Sequence, residues 1–301
     1  MQAPPQKQPV PCPVCDSKSF TVLYEPWVDV TDPVKLYGAA SGIQGTQTLV
    51  TCNDCKMIYE NPRYPEAVII AGYMSSDEAG HDSQRPMRIA SFYNALKANK
   101  ANLPKPGAKV LDIGTAGGAY LEAATKFGYE AWGMEPSQML VAEGKKRGLK
   151  IEQGTIDSHK FQPGTFDLVS LWDVLEHVVD AKACLRECRR LLKPDGVLLL
   201  NYPDIGTGMA KAAGKKFWWI LSVHIHHFDH KSVVNICEKT GFNVISQKPY
   251  WQTLEFGYLE GMAAHLKVPL AGAIHKMTPK FIQSIPLPYY ASQTTAIARL
   301  A

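Results

Sequence analysis

Lys109 to Gly118 reads KVLDIGTAGG, and the rest of the chain is organised around it. Val110, Leu111 and Ile113 are apolar and suit a buried parallel strand. Asp112 stands near the carboxyl end of that strand, and Gly114, Gly117 and Gly118 turn the chain tightly. Ala119 to Phe127 continues with helix-compatible spacing. A strand, a glycine turn and a helix in that order present backbone N–H groups to a ligand at the edge of an open α/β sheet. The glycines let that ligand approach the backbone closely.

The next acidic residue narrows the ligand. Tyr129 to Met134 reads as a second strand that ends at Glu135. A carboxylate about 20 residues beyond such a turn can accept both hydroxyls of a ribose. NAD and S-adenosylmethionine (SAM) both meet that condition. The acid inside the first strand, in the pattern Asp112-x-Gly114-x-x-x-Gly118, favours SAM. The downstream stretches FDLVSLWDVLEHV and LLKPDGVLLLNYP point the same way.

With these stretches in view, the sequence resembles the class I SAM-dependent methyltransferases. VLDIGTAGGAYL, GYEAWGMEPS, GTIDSHKF, FDLVSLWDVLEHV and LLKPDGVLLLNYP follow the family's order and spacing. The resemblance implies an α/β, Rossmann-like fold with a seven-stranded sheet. It implies that Asp112, Gly114, Thr115, Ala116 and Gly118 line the cofactor turn, and that Glu135 with Pro136 meets the ribose. Ile156 would pack on the adenine ring while Asp157 accepts from its amino group. Trp172 and Asp173 would sit beside the reacting methyl. Ala116 and Asp195 stand where the family usually has glycine.

Composition sets the frame. A chain of 301 residues with 46% hydrophobic and 20% charged residues has room for one large and one small domain. The net charge of +4 neither demands nor excludes a nucleic-acid partner. No apolar run approaches the ~20 residues of a membrane span. MQAPPQKQPV has no apolar core of a secretory signal, so residues 1–10 read as a disordered tail and the chain is expected in the cytoplasm.

Cys12-Pro13-Val14-Cys15 and Cys52-Asn53-Asp54-Cys55 are two C-x-x-C knuckles. Two such knuckles can place four thiolates around one tetrahedral Zn²⁺. Phe20 to Leu23 and Thr48 to Thr51 read as the strands of a zinc ribbon over residues 11–66. Two disulfides or unlinked cysteines are the alternatives, and a reducing compartment disfavours the disulfides. The stretch CPVC followed by LVTCNDCKMIYENPRYPE resembles the zinc-binding module ahead of many bacterial class I methyltransferases of polysaccharide and sugar pathways. Asp16 and Lys56 stand where that module often has glycine. The ribbon motifs and the cofactor motifs are separate in sequence, so the two modules are expected to work independently.

Residues 67–107 read as a linker helix or cofactor lid, with Ile89 to Ala101 helical and Tyr73, His81 and Arg88 ahead of the core. Residues 108–301 form the catalytic domain. Ser137 is expected to cap a helix to about Lys146, Leu149 to Glu152 to be a strand, and Leu185 to Leu192 a helix. Pro194-Asp195-Gly196 reads as a turn before a strand at Val197 to Asn201. Gly241 to Gln247 and Thr294 to Arg299 read as the last two strands, the second antiparallel. Residues 250–290 between them form an insertion that could cover the substrate or make a homodimer surface. A membrane-surface helix fits that stretch less well, because Pro279 interrupts it.

The most unusual composition lies between the fifth strand and the next helix. Four of the nine histidines, His224, His226, His227 and His230, fall within seven residues after Phe217-Trp218-Trp219. Imidazole titrates near neutrality and suits removal of a proton from an acceptor. His224, His226 and His227, with His177, are therefore the candidate catalytic residues. A second metal site and a core loop of satisfied histidines are the other readings. Sugar C-methyltransferases carry Tyr-x-x-His-Glu-His here, and Leu221 and Ile225 break that pattern. O- or N-methylation of a small polar acceptor, a sugar or sugar-linked metabolite, is the function that follows. The alternative is an RNA base methyltransferase with the ribbon as its RNA-binding module.

Overall fold

A computed structural model describes residues 5–28, 32–38, 45–74, 84–265 and 269–301. His81 lies outside them, as do residues 1–4. Residues 5–10 are not the free tail expected of them. The Gln8 N–H donates to the Arg63 carbonyl at 2.8 Å, and the Arg63 N–H returns to Gln8 at 3.1 Å. The Val10 N–H also meets Asn61 Oδ1 at 2.9 Å.

The N-terminal module comprises β1 (Phe20–Tyr24), α1 (Pro33–Leu36), β2 (Leu49–Cys52), β3 (Ile58–Glu60) and α2 (Glu66–Met74). Beyond it come α3 (Arg85–Asn99), β4 (Lys109–Ile113), α4 (Ala119–Phe127), β5 (Glu130–Glu135), α5 (Gln138–Lys146) and β6 (Lys150–Gln153). Next are β7 (Phe166–Trp172), α6 (Ala181–Leu191), β8 (Leu192–Pro203), α7 (Gly208–Ala213), β9 (His226–His227) and α8 (His230–Lys239). The chain ends with β10 (Phe242–Glu255), α9 (Phe256–His265), α10 (Ala271–Met277), α11 (Lys280–Gln283) and β11 (Pro286–Leu300).

The expected seven-stranded sheet is present, in the order β10-β11-β8-β7-β4-β5-β6. β11 runs antiparallel to both its neighbours, while β8, β7, β4, β5 and β6 are parallel. Its central strands are apolar on both faces, as strands covered on both sides must be. Leu198, Leu199 and Leu200 are all buried, each worth about 1.5–3 kcal/mol relative to exposure. Caps set the helix starts. Ser137 accepts from the Leu140 N–H, as expected, and Asp180 accepts from the Ala183 N–H at 2.9 Å. The second cap starts α6 a turn earlier than the apolar spacing suggested.

Two expectations change. Pro194-Asp195-Gly196 is a bulge within β8 rather than a turn before it. The pairing with β7 passes from Leu192 to Val197 across it. The insertion is also shorter than 250–290. β10 and β11 continue as a two-stranded arm out to the pair Glu255 and Pro286, and only 256–285 lies at its tip. The arm is fastened to α3, where the Thr253 N–H meets Ser91 Oγ at 2.6 Å.

The second sheet has the order β1-β2-β3-β9, all antiparallel. Its fourth strand is His226–His227, from far down the chain. Ile58 and Tyr59 pair with His227 and His226 respectively. Cys12, Val14, Val50, Met57 and Tyr59 belong to the same buried cluster as Leu111, Leu200 and Ile236. The ribbon and the large sheet therefore share one core.

Candidate active site

Strand order reverses at β4, which lies between β5 and β7. The carboxyl end of such a strand is where open α/β sheets form a crevice. The turn after β4 takes φ 68° at Gly114, 48° at Ala116 and 80° at Gly118. A Cβ on Gly118 would come within 2.4 Å of Leu149 Cδ1, and one on Gly114 within 2.7 Å of Val174 Cγ2. Ala116 carries a Cβ in the left-handed region, which costs an L-residue about 1–2 kcal/mol. Replacing it with glycine adds about 0.4–1 kcal/mol of unfolded-chain entropy. Ala116→Gly should therefore leave the protein about 0–1.6 kcal/mol more stable. A urea midpoint that moves down would contradict this.

Glu135 holds the turn in place. Its carboxylate accepts from the Ala116 N–H and the Ser137 N–H, both at 2.9 Å. Burial pushes its carboxyl above the usual range, and the two N–H donors act against that. An ionised carboxylate has about four lone-pair sites, so two remain for ligand hydroxyls. Asp112 is buried, and burial raises its carboxyl to about 7 even though Ser170 Oγ donates to it at 2.7 Å.

Two cavities meet at Gly114. One, of about 310 Å³, is lined by Arg85, Arg88, Phe92, Asp112, Thr115, Ala116, Tyr120 and Trp172. Helix α3, read as linker or lid, thus forms its outer wall. The other, of about 410 Å³, is lined by Pro136, Ile156, Asp157, Val174, His177 and Val223. Tyr37, Ile69 and Tyr73 of the N-terminal module complete it. Apart from Gly118, Glu135 and Asp173, the residues expected at the cofactor all line one cavity or the other. Gly118 lies behind the turn, and Glu135 stands directly before Pro136.

Asp173 adopts φ 53° between the two cavities. Its Oδ1 accepts from Asn201 Nδ2 at 2.9 Å and from Gln293 Nε2 at 2.6 Å. Burial raises its carboxyl to about 6, with the nearby Arg88 charge and the two amide donors opposing.

The histidines separate into two groups. The His177 Nδ1–H donates to the Val223 carbonyl at 3.2 Å, and the His224 Nδ1–H to the Trp219 carbonyl at 2.8 Å. A carbonyl can only accept, so each ring leaves Nε2 as a bare acceptor. Their ring centroids are 4.7 Å apart. Polar atoms of Glu176, His177 and His224 lie within 4.8 Å of one another. Both Glu176 oxygens are buried without a hydrogen-bond partner among the described residues. Burial, then the Asp173 charge, pushes the Glu176 carboxyl well up. Such a cluster can hold a proton or a cation between a carboxyl and two oriented imidazoles. Glu176 was not among the expected site residues. The signal was there, a carboxylate next to His177 between the apolar pairs Val174-Leu175 and Val178-Val179.

His226 and His227 sit in β9, inside the ribbon sheet. His226 Nε2 donates to the Val178 carbonyl at 3.0 Å, while His226 Nδ1 and His227 Nε2 are buried with no hydrogen-bond partner among the described residues. Neither residue lines either of these two cavities. Burial lowers His177 to about 4, His226 to about 3 and His227 to about 4, and takes His224 well below its usual value. All four are neutral at pH 7. Trp218 and Trp219 both point their Nε1–H at the Ala291 carbonyl, at 3.2 and 2.5 Å.

The four thiols of the ribbon converge. Cys12 and Cys55 sulfurs are 3.4 Å apart and those of Cys15 and Cys52 3.5 Å, with all four mutually within 4.8 Å. The cysteines are unbridged. Sulfurs around a tetrahedral Zn²⁺ with bonds of ~2.3 Å are about 3.8 Å apart, so the set fits zinc. Asp16 at φ 61° and Lys56 at φ 65° supply the left-handed residue after each knuckle. That is the conformation for which related modules use glycine.

Comparisons with known proteins agree with this architecture. The chain is 36% identical over 159 residues to a ubiquinone biosynthesis O-methyltransferase of Xanthomonas campestris pv. campestris, covering 49% of this chain and 66% of that protein. The protein of the same name from Xanthomonas oryzae pv. oryzae is 33% identical over the same shares. The chain thus spans 66% of the length of these curated relatives. A chain from the complex containing the Haloferax volcanii Trm112 methyltransferase activator shares the fold at a TM-score of 0.50 and 17% identity, covering 72% of this chain and 92% of that one. The methyltransferase-domain family itself matches residues 81–247, more than half of the chain and the whole of the glycine turn, the cavity strands and the histidine loop. On that match and this sheet, the chain belongs to the methyltransferase-domain family.

Proposed function

We propose that the protein transfers a methyl group from SAM to a hydroxyl or amine of a small polar acceptor. The observation that carries this reading is His177 in the cavity wall, its Nδ1–H held by the Val223 carbonyl so that Nε2 is left as the acceptor, with His224 and Glu176 beside it. SAM supplies an electrophilic methyl, and its displacement needs alignment and removal of the acceptor's proton. The residues that would hold it are Gly114, Thr115 and Ala116 at the turn, Glu135 and Pro136 at the ribose, and Ile156 and Asp157 at the adenine. Trp172 and Asp173 would flank the methyl end. His177 would then receive the proton at Nε2.

The curated relatives are named for O-methylation, which supports an oxygen acceptor. The walls formed by Phe92, Tyr120 and Trp172 suit a flat ring or a sugar face. Trp218 and Trp219 lend the carbohydrate reading no support, because neither lines either of the two cavities. Zinc would serve as the structural metal of the ribbon.

Calorimetry tests the cofactor. SAM or S-adenosylhomocysteine should bind and NAD should not. Glu135→Ala should weaken binding by about 1–3 kcal/mol, the cost of losing a charged acceptor that also holds the turn. Tight NAD binding without SAM heat would end the reading. Methyl-labelled SAM, offered with a metabolite fraction and separately with RNA, tests the acceptor. Label in RNA with a steep salt dependence would replace the small-molecule reading by the RNA one.

A further inference from the structure

The tip of the β10–β11 arm carries a patch that the active site does not use. Leu270 is 77% exposed, Met277 82% and Phe281 75%, with Ile274 at 51%. Ile274 and Met277, three residues apart, share one face of α10, and Leu270 stands just before that helix. That helix turns only Ala271 inward. Apolar side chains scattered singly are ordinary on a surface, but this density within twelve residues marks a contact surface.

The patch is also rigid and one-signed in charge. Thr278 Oγ1 donates to Glu260 at 2.6 Å, and Gln283 Nε2 donates to the carbonyls of His275 and Thr278 at 2.8 and 3.1 Å. These bonds fix α9, α10 and α11 to one another. Lys276 and Lys280 stand exposed beside the apolar side chains. From Gly261 to Ala301 the sequence contains no aspartate or glutamate. Glu260, the one acid of the tip, is buried beneath it.

We propose that this tip docks the protein on an anionic membrane surface. A second copy of the chain would set lysine against lysine with no carboxylate on the patch to neutralise them. A lipid surface of negative charge answers both features, since acyl chains receive Met277 and Phe281 while headgroups meet Lys276 and Lys280. The contact is interfacial. Among the described residues no helix is long and apolar enough to cross a membrane. The proposal is independent of the methyl acceptor.

Vesicle co-sedimentation of the full chain tests it. Binding to phosphatidylcholine vesicles containing phosphatidylglycerol should exceed binding to phosphatidylcholine alone by about tenfold or more, and should weaken with salt. Lys276→Glu with Lys280→Glu should abolish that difference. Met277→Ser with Phe281→Ser should reduce binding to both vesicle types. These side chains are exposed, so melting temperatures should stay unchanged, which separates lost docking from lost folding. Equal sedimentation of the wild type and both variants would overturn the proposal. So would failure to bind anionic vesicles at low salt. A concentration-dependent dimer that Met277→Ser with Phe281→Ser dissolves, without vesicle binding, would assign the patch to self-association instead.

Discussion

Replacing His177 with alanine is expected to lower turnover about a hundredfold while SAM affinity stays within a few-fold. A positioned base contributes roughly 10²–10⁴. The lower end applies because burial holds the His177 imidazole at about 4, and a weak base gives little driving force for proton transfer. The same shift decides the pH profile. A base must be unprotonated to act, so His177 is competent at every pH above about 4. Its limb of the rate profile should fall only as pH drops toward that value, without the inflection near 6.5 of an ordinary histidine. His226→Ala should behave differently, lowering thermal stability more than turnover, because that ring ties β9 to the Val178 carbonyl. Full activity in His177→Ala, with loss in His226→Ala or His227→Ala, would move the base away from the cavity wall. Asp173 would then be the next candidate.

The second large effect concerns the ribbon. Cys52→Ser with Cys55→Ser should take zinc from about one per chain to near none. The separate motifs suggested that the cofactor domain would ignore this change, but the structure argues otherwise. β3 pairs with the strand that carries His226 and His227. The Glu60 N–H donates to the Ile225 carbonyl at 2.9 Å, and Ser222 Oγ donates to the Leu36 carbonyl at 2.6 Å. Tyr37, Ile69 and Tyr73 line the larger cavity. Loss of the metal should therefore loosen the histidine loop and one cavity wall together. Turnover should fall by at least tenfold, and SAM affinity should fall with it. A zinc-free double variant with wild-type SAM affinity and turnover would show that the two modules are coupled only in space.

What could be read from the chain follows the range of the forces involved. Caps and turns are local, and Ser137 and the glycine turn announce themselves within a few residues. The sheet strands carry enough apolar length to be seen. The β3–β9 pairing could not be seen, because a two-residue strand has no periodicity and its partner lies far away in sequence. The arm was hidden by its prolines. Pro249 sits on β10, the sheet edge, and Pro286 and Pro288 lie on β11 beyond its pairing with β8. An edge tolerates the missing donor, so these residues read as breakers without breaking anything. The histidine run left a reactive loop, a metal site and a core loop open. The rings are buried, and those of His177, His224 and His226 each give one nitrogen to a backbone carbonyl, which lowers the cost of burying a neutral imidazole.

The fourth ribbon strand also sets a timetable for the newborn chain. Ile58 must wait for His227, about 170 residues later. Synthesis at about 5–20 residues per second makes that a delay of roughly 10–30 s. All four thiols have been made long before, so the knuckles can capture their metal while β3 still offers a row of unpaired N–H and C=O groups. During that interval the half-built sheet is an open edge of the kind that recruits stray strands. The histidine loop closes it, and the segment that backs the cofactor cavity is thereby also the segment that ends the exposure of β3, while β1 stays the sheet's other edge.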